Sequence, residues 1–452
     1  MEQSKKTYTK PIITKQKTGF VSKFGKAGLL TVLEKIDGVS IEELVEKFGS
    51  PLFVISEKTI RLNQRKALRI FKTRYPKVQF AWSYKTNYLN AVCLVFHDEG
   101  SWAEVVSEFE YDKAKALGVP GNKIIFNGPH KPKSALLKAI NDGALIHIDH
   151  FDELFSLIEL TEEIKKTANV AIRVNMDTGI YPKWDRFGLN YENGEAYEAI
   201  RRIMISDYLK LVGLHCHIGT YVLSTEAYKT AAYKLTDLYK RVKYEYNLQL
   251  DYIDIGGGIP SKNTLHSLYL DASVSIPPLE DYADAITSGI IEHGLRSDEL
   301  PLLILESGRA LVDEAGYLIS SVVSNKRLSN GKQAIIVDAG VNLLFTSFWY
   351  KHKISTTEFY GEVRDESVIY GNLCMNIDVL RDGVYLPPVP VGKQIIFHNV
   401  GAYNMTQWMQ FISLRPRVVM IMDDGNVEVI REAETIDYLT QLEKIPEKLQ
   451  KK

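Results

Sequence analysis

Short apolar runs alternate with longer, charge-rich stretches between residues 52 and 306. The longer stretches, such as Phe109–Leu117 and Thr225–Tyr246, repeat apolar positions at the spacing of an amphipathic helix. The short, strand-like runs are Val78–Trp82, Trp102–Ser107, Lys123–Asn127, Leu145–Asp149, Val170–Asn175, Leu209–His215, Tyr252–Ile255 and Leu302–Glu306. Eight strand–helix repeats are the number that closes a parallel barrel, although a doubly wound open sheet would show the same alternation. The pattern therefore predicts an α/β fold and favours a (β/α)8 TIM-type barrel.

The pattern changes after about residue 310, where turn signals rather than helices separate the strand-like runs. These runs include Gln333–Val337, Gln394–His398 and Val418–Met422. Asp382-Gly383 and Asp424-Gly425 are typical of tight hairpin turns. The region is therefore predicted to be mainly antiparallel β structure, followed by a charged terminal helix over roughly Glu434–Lys452.

Composition and charge exclude several classes of partner. The 452 residues are 45% hydrophobic and 25% charged, as in ordinary globular proteins, and the net charge of −1 would not attract nucleic acid. Met1–Lys23 contains many lysines but lacks the apolar core of a signal peptide, and no apolar run is long enough to span a bilayer. Cys93, Cys216 and Cys374 do not make a disulfide framework in so long a chain. We therefore expect a cytoplasmic protein that binds neither nucleic acid nor membrane.

The predicted strands end in polar or glycine-rich residues, at the position where active sites collect in parallel barrels. These ends carry Lys85, Asn127, Asp149, Asn175, His215, His217, Gly256–Gly258 and Glu306–Arg309. A lysine held at a strand end and partly desolvated would lose its charge more readily, and it could form an imine with a carbonyl group. Most lysines are solvated surface charges, so the functional interpretation of Lys85 depends on the other residues at the strand ends.

Two motifs after the last two runs are suited to an anionic cofactor. Gly256–Gly258 lack Cβ atoms, so their backbone can approach a phosphate; a tight turn is the alternative, and neither P-loop nor Rossmann spacing is present. Glu306 could keep a pyridine nitrogen protonated, while Gly308 and Arg309 could bind phosphate or carboxylate. A surface ion pair is the alternative for Glu306 and Arg309.

His215-Cys216-His217 places two histidines two residues apart at the end of the sixth run. Such a pair can bind a metal ion, but no third ligand stands nearby at metal spacing, so no metal site is predicted. An imidazole could instead stack on a cofactor ring, with Thr220 donating to a phosphate. A packed core histidine is the alternative.

Together these residues resemble the fold-type III pyridoxal-phosphate decarboxylases, which include ornithine and diaminopimelate decarboxylases, and they are closest to the diaminopimelate branch. The resemblance runs from about residue 45 to 435. Its motifs are Tyr84–Asn87, Val105–Glu110, Arg173–Asn175, Arg186–Gly188, His215–Gly219, Ile255–Gly258, Glu306–Arg309, Cys374 with Asp378, and Gly401–Tyr403. It implies an alanine racemase-like architecture: an N-terminal segment (1–50) that packs on the C-terminal domain, a cofactor-binding barrel (51–312), and a β domain with a terminal helix (313–452).

The resemblance implies a role for each matching residue. Lys85 would carry the imine with pyridoxal 5'-phosphate, His217 would stack on its ring, and Glu306 would pair with its ring nitrogen. Arg173 would lie near the ring hydroxyl. The expected phosphate-side contacts are Thr220, Gly257, Gly258, Gly308, Arg309 and Tyr403. Cys374 would reach in from a partner subunit and return a proton after carbon dioxide leaves, which requires a homodimer with shared active sites.

Four departures from the family pattern bear on the substrate. Met375 stands where diaminopimelate enzymes have a glutamate for the distal ammonium, and Thr346 stands where they have an arginine for the distal carboxylate. Ser307 replaces a proline, and Asn404 replaces a glycine. The predicted substrate contacts are Arg309, Thr346, Tyr350, Met375, Asp378 and Tyr403. Each lost charge contact would cost diaminopimelate on the order of a few kcal/mol, so we hypothesise a decarboxylase for a non-standard amino acid, free, conjugated or carrier-linked.

Three other functions are open. The chain could be a genuine diaminopimelate decarboxylase that makes L-lysine. An amino-acid racemase would share the barrel and the lysine, but racemases use an arginine near the ring nitrogen, where this chain has Glu306. A non-catalytic regulatory homologue would tend to lose cofactor contacts, whereas Lys85, His217, Glu306 and Cys374 are all present. Decarboxylation is therefore the expected activity.

Overall fold

Eight parallel strands form the centre of the computed structural model, which describes residues 31–268, 270–361 and 365–450. The strands are β1 (Val78–Ser83), β2 (Trp102–Val105), β3 (Ile124–Phe126), β4 (Leu145–Ile148), β5 (Ala168–Asn175), β6 (Leu209–His215), β7 (Tyr252–Asp254) and β8 (Leu302–Leu305). Each strand pairs with the next, and Leu303–Leu305 of β8 pair with Val78–Phe80 of β1, so the barrel is closed. The predicted TIM-type barrel is confirmed.

Helices cover the outside of the barrel. Those that follow β1 to β7 are Asn90–Asp98, Glu108–Ala116, Lys133–Asp142, Phe151–Ile164, Glu195–Met204, Thr225–Tyr246 and Leu279–Ile291. Glu57–Lys72 precedes β1 and packs beside the short helix Arg309–Val312 that follows β8. In Thr225–Tyr246 the buried side chains recur every three or four residues, as in Tyr228, Ala231 and Leu235, and this apolar face packs toward the barrel.

Side chains that point into the barrel form two layers of different chemistry. The layer toward the amino ends of the strands is apolar and comprises Ala81, Ile125, Ala171, Val212, Tyr252 and Ile304, with Trp102, Leu145 and Leu302 packed against it. Because strand side chains alternate in direction, the next inward position lies two residues further along each strand. The residues at that level are buried and polar, namely Ser83, Glu104, Asn127, His147, Arg173, Asp254 and Glu306, together with His215 of β6, where the register shifts. The carboxyl end of the barrel is therefore a buried polar layer on an apolar floor.

The second domain is a mostly antiparallel sheet, as predicted. Its strands are Thr31–Val32, Leu52–Ser56, Gly316–Arg327, Gln333–Val337, Ile354–Thr356, Asp365–Tyr370, Val379–Leu386, Gln394–His398, Val418–Ile421 and Val427–Arg431. Leu52–Ser56 pairs with Gly316–Ile319 and Val418–Ile421, so this strand belongs to the second sheet although it lies past the predicted barrel boundary at residue 51. The residues before 31, within the predicted N-terminal segment and including Met1–Lys23, lie outside the described residues.

The two predicted hairpin turns had different outcomes. Asp424-Gly425 lies between the paired strands Val418–Ile421 and Val427–Arg431, and Gly425 has a positive φ of 87°, which confirms the turn. Asp382-Gly383 lies inside Val379–Leu386, where the register shifts opposite Asp365–Tyr370. That prediction was wrong, because the dipeptide forms a bulge within the strand rather than a turn between two strands.

The predicted terminal helix was too long. Its described part contains the helix Ile436–Thr440 and the 3-10 turn Glu447–Leu449, with Pro446 between them. Proline has no amide hydrogen and disfavours helical backbone at the preceding residue, so the charged stretch does not continue as one helix.

Short elements connect the two domains beside the carboxyl end of the barrel. Thr264–Leu265, which follows β7, pairs with Tyr350–Lys351 of the second domain. The 3-10 turn Phe345–Phe348 lies next to the helix Asn404–Gln407. The remaining short elements are the strands Lys35–Ile36, Val39–Ser40 and Leu189–Asn190, the helices Ile41–Phe48 and Ala272–Ser275, and the 3-10 turns Tyr84–Thr86, Gly121–Lys123 and Asp313–Ala315. Within the described ranges, no helix has both the length and the apolar composition to cross a membrane.

Candidate active site

A cavity at the carboxyl end of the barrel brings together residues that are far apart in the sequence. β1 ends in the 3-10 turn Tyr84–Thr86, which places Lys85 in the cavity wall. The full lining is Ser83, Lys85, Thr86, His217, Thr220, Gly257, Gly258, Ile259, Glu306, Gly308, Arg309 and Tyr403. Every residue predicted to bind the cofactor lies in this lining except Arg173. The positions therefore agree with one shared site, while the individual roles stay predictions.

Glu104, which the sequence analysis missed, is the ionic partner of Lys85. The Lys85 ammonium donates to the two Glu104 carboxylate oxygens at 2.7 and 2.5 Å, and the Ser83 hydroxyl donates to one of them at 2.5 Å. Asn127 Nδ2 donates to Glu104 Oε1 at 3.1 Å and to Glu306 Oε1 at 2.5 Å. A signal was present in the sequence, because Glu104 is a carboxylate inside an apolar run, where an unpaired charge would be costly.

The charge on Lys85 differs from the expectation. Burial lowers the pKa of Lys85, but Glu104, Glu306 and Tyr403 outweigh burial and raise the pKa above its ordinary value. The idea that desolvation makes the lysine lose its charge readily is therefore wrong for this state. Lys85 is held as an ammonium, and it can act as a nucleophile only when the neighbouring negative charge is offset.

His217 is a neutral, oriented imidazole. Its Nδ1 accepts a hydrogen bond from the Gly257 amide at 3.0 Å, and its ring lies 5.4 Å from that of Trp184. Burial, with help from Arg173 and Lys85, lowers the pKa of His217 well below its ordinary value. A neutral ring fixed at the edge of the cavity suits stacking on a flat cofactor. The Gly257 amide, however, is already used by His217, so Gly257 contributes close approach rather than a free donor.

The glycines allow the backbone to pack closely beside the cavity. Gly256 and Gly258 have positive φ values of 69° and 93°, a conformation that other residues rarely adopt. A Cβ on Gly257 would lie 2.5 Å from the Glu306 carbonyl oxygen, and one on Gly308 would overlap the Thr86 hydroxyl. The requirement for glycine here is therefore steric as well as conformational.

Arg309 is a buried cation enclosed by aromatic rings. Its guanidinium carbon lies 4.6 Å from the Tyr403 ring centroid, 5.2 Å from Tyr350 and 5.6 Å from Trp349. Its Nη1 is buried and makes no hydrogen bond to the described residues. An unpaired donor beside a close-packed glycine turn, with Thr220 at the exposed edge, fits the phosphate of pyridoxal phosphate. The donor set of this site thus suits the cofactor that the sequence predicts.

Two residues of the second domain donate hydrogen bonds to the turn that carries Lys85. The Tyr403 amide donates to the Thr86 carbonyl at 2.8 Å, and the Thr406 hydroxyl donates to the Lys85 carbonyl at 2.9 Å. Tyr403 has a positive φ of 62°, which begins the helix Asn404–Gln407. The cavity is therefore completed by both domains.

Arg173 does not line the cavity but lies close to it in the polar layer. Its Nη1 lies 3.3 Å from Asp149 Oδ1, and its guanidinium carbon lies 4.6 Å from the Phe187 ring centroid. It also contributes to lowering the pKa of His217. A direct contact with the cofactor hydroxyl remains a prediction.

Thr346 is buried in a hydrogen-bond network instead of lining the cavity. Its hydroxyl lies 2.9 Å from both His352 Nε2 and Asn404 Oδ1, and its amide donates to Asn404 Oδ1 at 3.1 Å. Burial lowers the pKa of His352 to about 3, so the ring is neutral. Because His352 Nδ1 donates to the His398 carbonyl at 3.2 Å, its Nε2 accepts the single proton of the Thr346 hydroxyl, and Asn404 Oδ1 is left with the Thr346 amide as its donor.

The predicted residues after Cys374 are also outside the cavity lining of this chain. Asp378 is buried, and its carboxylate accepts the amides of Val341 at 2.7 Å and Leu373 at 2.8 Å. It therefore shapes the loop that presents Cys374, and its direct contact with the substrate stays a prediction. Cys374 is exposed, and Met375 packs partly against the apolar core.

Comparison with known proteins identifies the family. The family model for the pyridoxal-binding domain of pyridoxal-dependent decarboxylases matches residues 62–313. Diaminopimelate decarboxylase of Methanocaldococcus jannaschii is 33% identical over 429 residues, which are 91% of this chain and 95% of that protein. A Niallia circulans decarboxylase of an L-glutamyl acyl-carrier protein is 27% identical over 434 residues, which are 90% of this chain and 97% of that one.

A solved structure is similar over the whole described architecture. The crystal structure of the diaminopimelate decarboxylase from M. jannaschii matches with a TM-score of 0.84 at 31% identity, and it covers 93% of this chain and 99% of that one. The family match covers the lining of the cavity at the carboxyl end of the barrel except Tyr403, which lies beyond residue 313. The chain therefore belongs to the pyridoxal-dependent decarboxylases and is a carboxy-lyase that uses pyridoxal phosphate to decarboxylate an amino acid.

Proposed function

We propose that this decarboxylase acts on an amino acid whose far end lacks the free ammonium and carboxylate of diaminopimelate, such as a conjugated or carrier-linked amino acid. The observation that carries this proposal is the buried network of Thr346, His352 and Asn404. The place where diaminopimelate enzymes have a carboxylate-binding arginine is occupied here by side chains that satisfy one another. A charged distal group would find no free partner in this network.

The cations of the cavity lining support the same proposal. In the described lining, the cationic side chains are Lys85 and Arg309, and Lys85 is already paired with Glu104. The free Nη1 of Arg309 is suited to the cofactor phosphate. The described lining of the cavity contains no further guanidinium for a distal carboxylate, and the Met375 thioether cannot pair with a distal ammonium. Diaminopimelate would therefore lose both of its charge contacts.

The residues of this chain have distinct proposed roles in the reaction. Bound pyridoxal phosphate supplies an electron sink for the electron pair left at Cα when carbon dioxide departs. Lys85 anchors the cofactor, and Glu104 holds the Lys85 amine at one wall. Glu306 would pair with the ring nitrogen, and the neutral His217 would stack on the ring. Arg309 holds the phosphate end, with Thr220 beside it.

We also propose a homodimer in which Cys374 of one subunit completes the site of the other. Cys374 is exposed and lies outside the cavity lining of its own chain. Ile377, which follows it, and Phe348 are exposed apolar side chains at 53% and 40%. An apolar surface around a presented thiol is suited to a second copy of this chain. Three unpaired cysteines agree with the expected cytoplasmic location.

A genuine diaminopimelate decarboxylase is the second candidate, because the M. jannaschii relative is 33% identical over nearly the full length. One relative, 27% identical, is a decarboxylase of an L-glutamyl acyl-carrier protein, which supports the proposal of a carrier-linked substrate. Carbon dioxide release should be measured from meso-diaminopimelate, L-ornithine, L-glutamate and an L-glutamyl pantetheine thioester. We expect the best turnover with an uncharged or conjugated distal end. Efficient turnover of meso-diaminopimelate would exclude the proposal.

Subunit complementation tests the shared site. Lys85→Ala and Cys374→Ala homodimers should each be inactive, whereas random mixed dimers contain one intact site in half of the molecules and should recover about a quarter of wild-type activity. Mixing after mild dissociation measures this directly. No recovery, with mixed dimers verified by mass spectrometry, would contradict the shared site.

A further inference from the structure

Four titratable side chains converge in the polar layer of the barrel. Ligand-type atoms of His147, His215, Asp254 and Glu306 lie within 4.8 Å of one another, and all four residues are buried. His147 Nε2 is 2.8 Å from the Tyr252 hydroxyl, and the two imidazole rings are 4.7 Å apart. Glu306 is the member of this group that reaches the cavity. The other three residues form its support.

Asp254 and Glu306 are two carboxylates that lie close together in a buried layer. Asp254 Oδ1 accepts the Gly256 amide at 2.8 Å, while Asp254 Oδ2 is buried and has no hydrogen-bond partner among the described residues. A carboxylate oxygen of Asp254 and one of Glu306 lie within 4.8 Å of each other. Two carboxylates this close in a buried layer repel each other when both are ionised, so the ionised form of one favours a proton on the other.

The surroundings place this proton on Asp254. Glu306 accepts from Asn127 at 2.5 Å, and its negative charge helps to raise the pKa of Lys85, whereas Asp254 Oδ2 has no such partner among the described residues. Burial raises the pKa of Asp254 well above its ordinary value, and the negative charge of Glu306 raises it further. His215 lies 3.4 Å from Glu306, but burial lowers the pKa of His215 well below its ordinary value, so its imidazole is neutral.

We propose that Asp254 is a positioning residue that remains protonated and donates a hydrogen bond to Glu306, thereby holding Glu306 ionised and directed into the cavity. The importance of this for catalysis rests on the proposed role of Glu306 toward the cofactor ring. An ionised Asp254 would repel Glu306 and could displace it from the cavity. A protonated Asp254 instead stabilises the anion without adding a second charge.

The Asp254→Asn and Asp254→Val variants test whether residue 254 acts as a hydrogen-bond donor to Glu306. Asparagine can accept from Gly256 with its oxygen and donate to Glu306 with its amide, whereas valine can do neither. We expect Asp254→Asn to keep kcat within about twofold of wild type, together with the wild-type absorbance of the bound cofactor. Asp254→Val should lose at least about tenfold in kcat with little change in KM.

Infrared spectroscopy gives a readout that does not depend on activity. The cofactor-free protein should show the carbonyl band of a protonated, buried carboxylic acid at neutral pH, and Asp254→Asn should lack this band. Absence of the band in the wild type, or an equal loss of activity in Asp254→Asn and Asp254→Val, would overturn the proposal. A stoichiometric metal ion bound by these four side chains would also overturn it, because a coordinated Asp254 carries no proton.

The two linked proposals can fail separately. Activity and cofactor absorbance of Glu306→Gln test whether Glu306 serves the cofactor, whereas the infrared band of the wild type tests the proton on Asp254. If Asp254→Val does not fold, the wild type and Asp254→Asn still decide the question, because the amide variant preserves both hydrogen bonds.

Discussion

The two sides of the cavity are built on different principles. On the barrel side, polar groups are paired with one another, as Lys85 is with Glu104 and Glu306 is with Asn127. On the side of the second domain lie the packed rings of Trp349 and Tyr403 and the hydrogen-bonded Thr346 and Asn404. Under the proposed function, the cofactor chemistry and the substrate preference are carried by these separate structural elements.

The separation has a physical basis. The barrel residues stand at strand ends whose positions are fixed by the closed sheet, so a small shift in one would disturb several hydrogen bonds. The substrate-side residues lie in the 3-10 turn Phe345–Phe348 and the short helix Asn404–Gln407. Loop-borne residues can change without altering the barrel, so specificity can diverge while the reaction is retained.

Removal of Lys85 should produce the largest effect. Lys85→Ala leaves no amine at the cavity wall, so we expect loss of the cofactor absorbance band and a decrease in kcat of at least about a thousandfold. Absorbance and carbon dioxide release measure the two effects. Lys72→Ala, at an exposed helix end, is the matched control and should behave as wild type. Retained activity in Lys85→Ala would contradict the role of Lys85 in binding the cofactor.

Arg309 tests the binding of the phosphate end. Removing a charged hydrogen-bond donor typically costs about 1.5–3 kcal/mol, so Arg309→Met should weaken pyridoxal phosphate binding by roughly ten- to a hundredfold. Titration of the cofactor-free protein gives the Kd. Arg309→Lys keeps the charge but loses the planar guanidinium and should show an intermediate loss. An unchanged Kd in both variants would contradict the phosphate role.

Glu104 tests how the barrel side controls Lys85. Because Glu104 helps to raise the pKa of Lys85, Glu104→Gln should lower that pKa and allow the neutral amine to form at lower pH. The rate at which the cofactor-free protein captures pyridoxal phosphate should rise with pH in the wild type and level off earlier in the variant. At neutral pH, the variant should react about tenfold faster for each unit by which the pKa falls. Glu108→Gln, on the following helix, is the control, and identical pH profiles would refute the role of Glu104.

Substitutions on the substrate side should give the smallest effect, because neighbouring side chains must repack before restored charges can bind diaminopimelate. Thr346→Arg, Met375→Glu and Asn404→Gly together restore the charge contacts and remove the side chain that satisfies Thr346. We expect kcat/KM for meso-diaminopimelate to rise by about tenfold, the effect of about 1.4 kcal/mol. Met375→Gln in the same background is the matched control, because it has the length of glutamate without the charge. Equal turnover of meso-diaminopimelate by the triple variants with Met375→Glu and with Met375→Gln would show that other residues determine the substrate preference.

Sequence periodicity located the barrel because its strands and helices have local signatures. All eight apolar runs became strands, and the glycine turn and Glu306–Arg309 came to the cavity because parallel strands end on one side of a barrel. The terminal helix failed for a local reason, since Pro446 interrupts it. Hairpin signals were less reliable, because Asp382-Gly383 serves as well in a bulge as in a turn.

By itself, the sequence determined eight strand–helix repeats, the candidate cofactor residues at their strand ends, and the absence of the charged residues that diaminopimelate enzymes carry. Only the tertiary structure decided which groups neutralise one another. Glu104 pairs with Lys85, and Asp254 lies close to Glu306, because closure of the barrel brings inward side chains of different strands together. It likewise assigned Asp378 to the loop backbone and Thr346 to Asn404. Such pairings join residues that are distant in the chain, and a local pattern of apolar and polar positions does not indicate which distant residues come together in the fold.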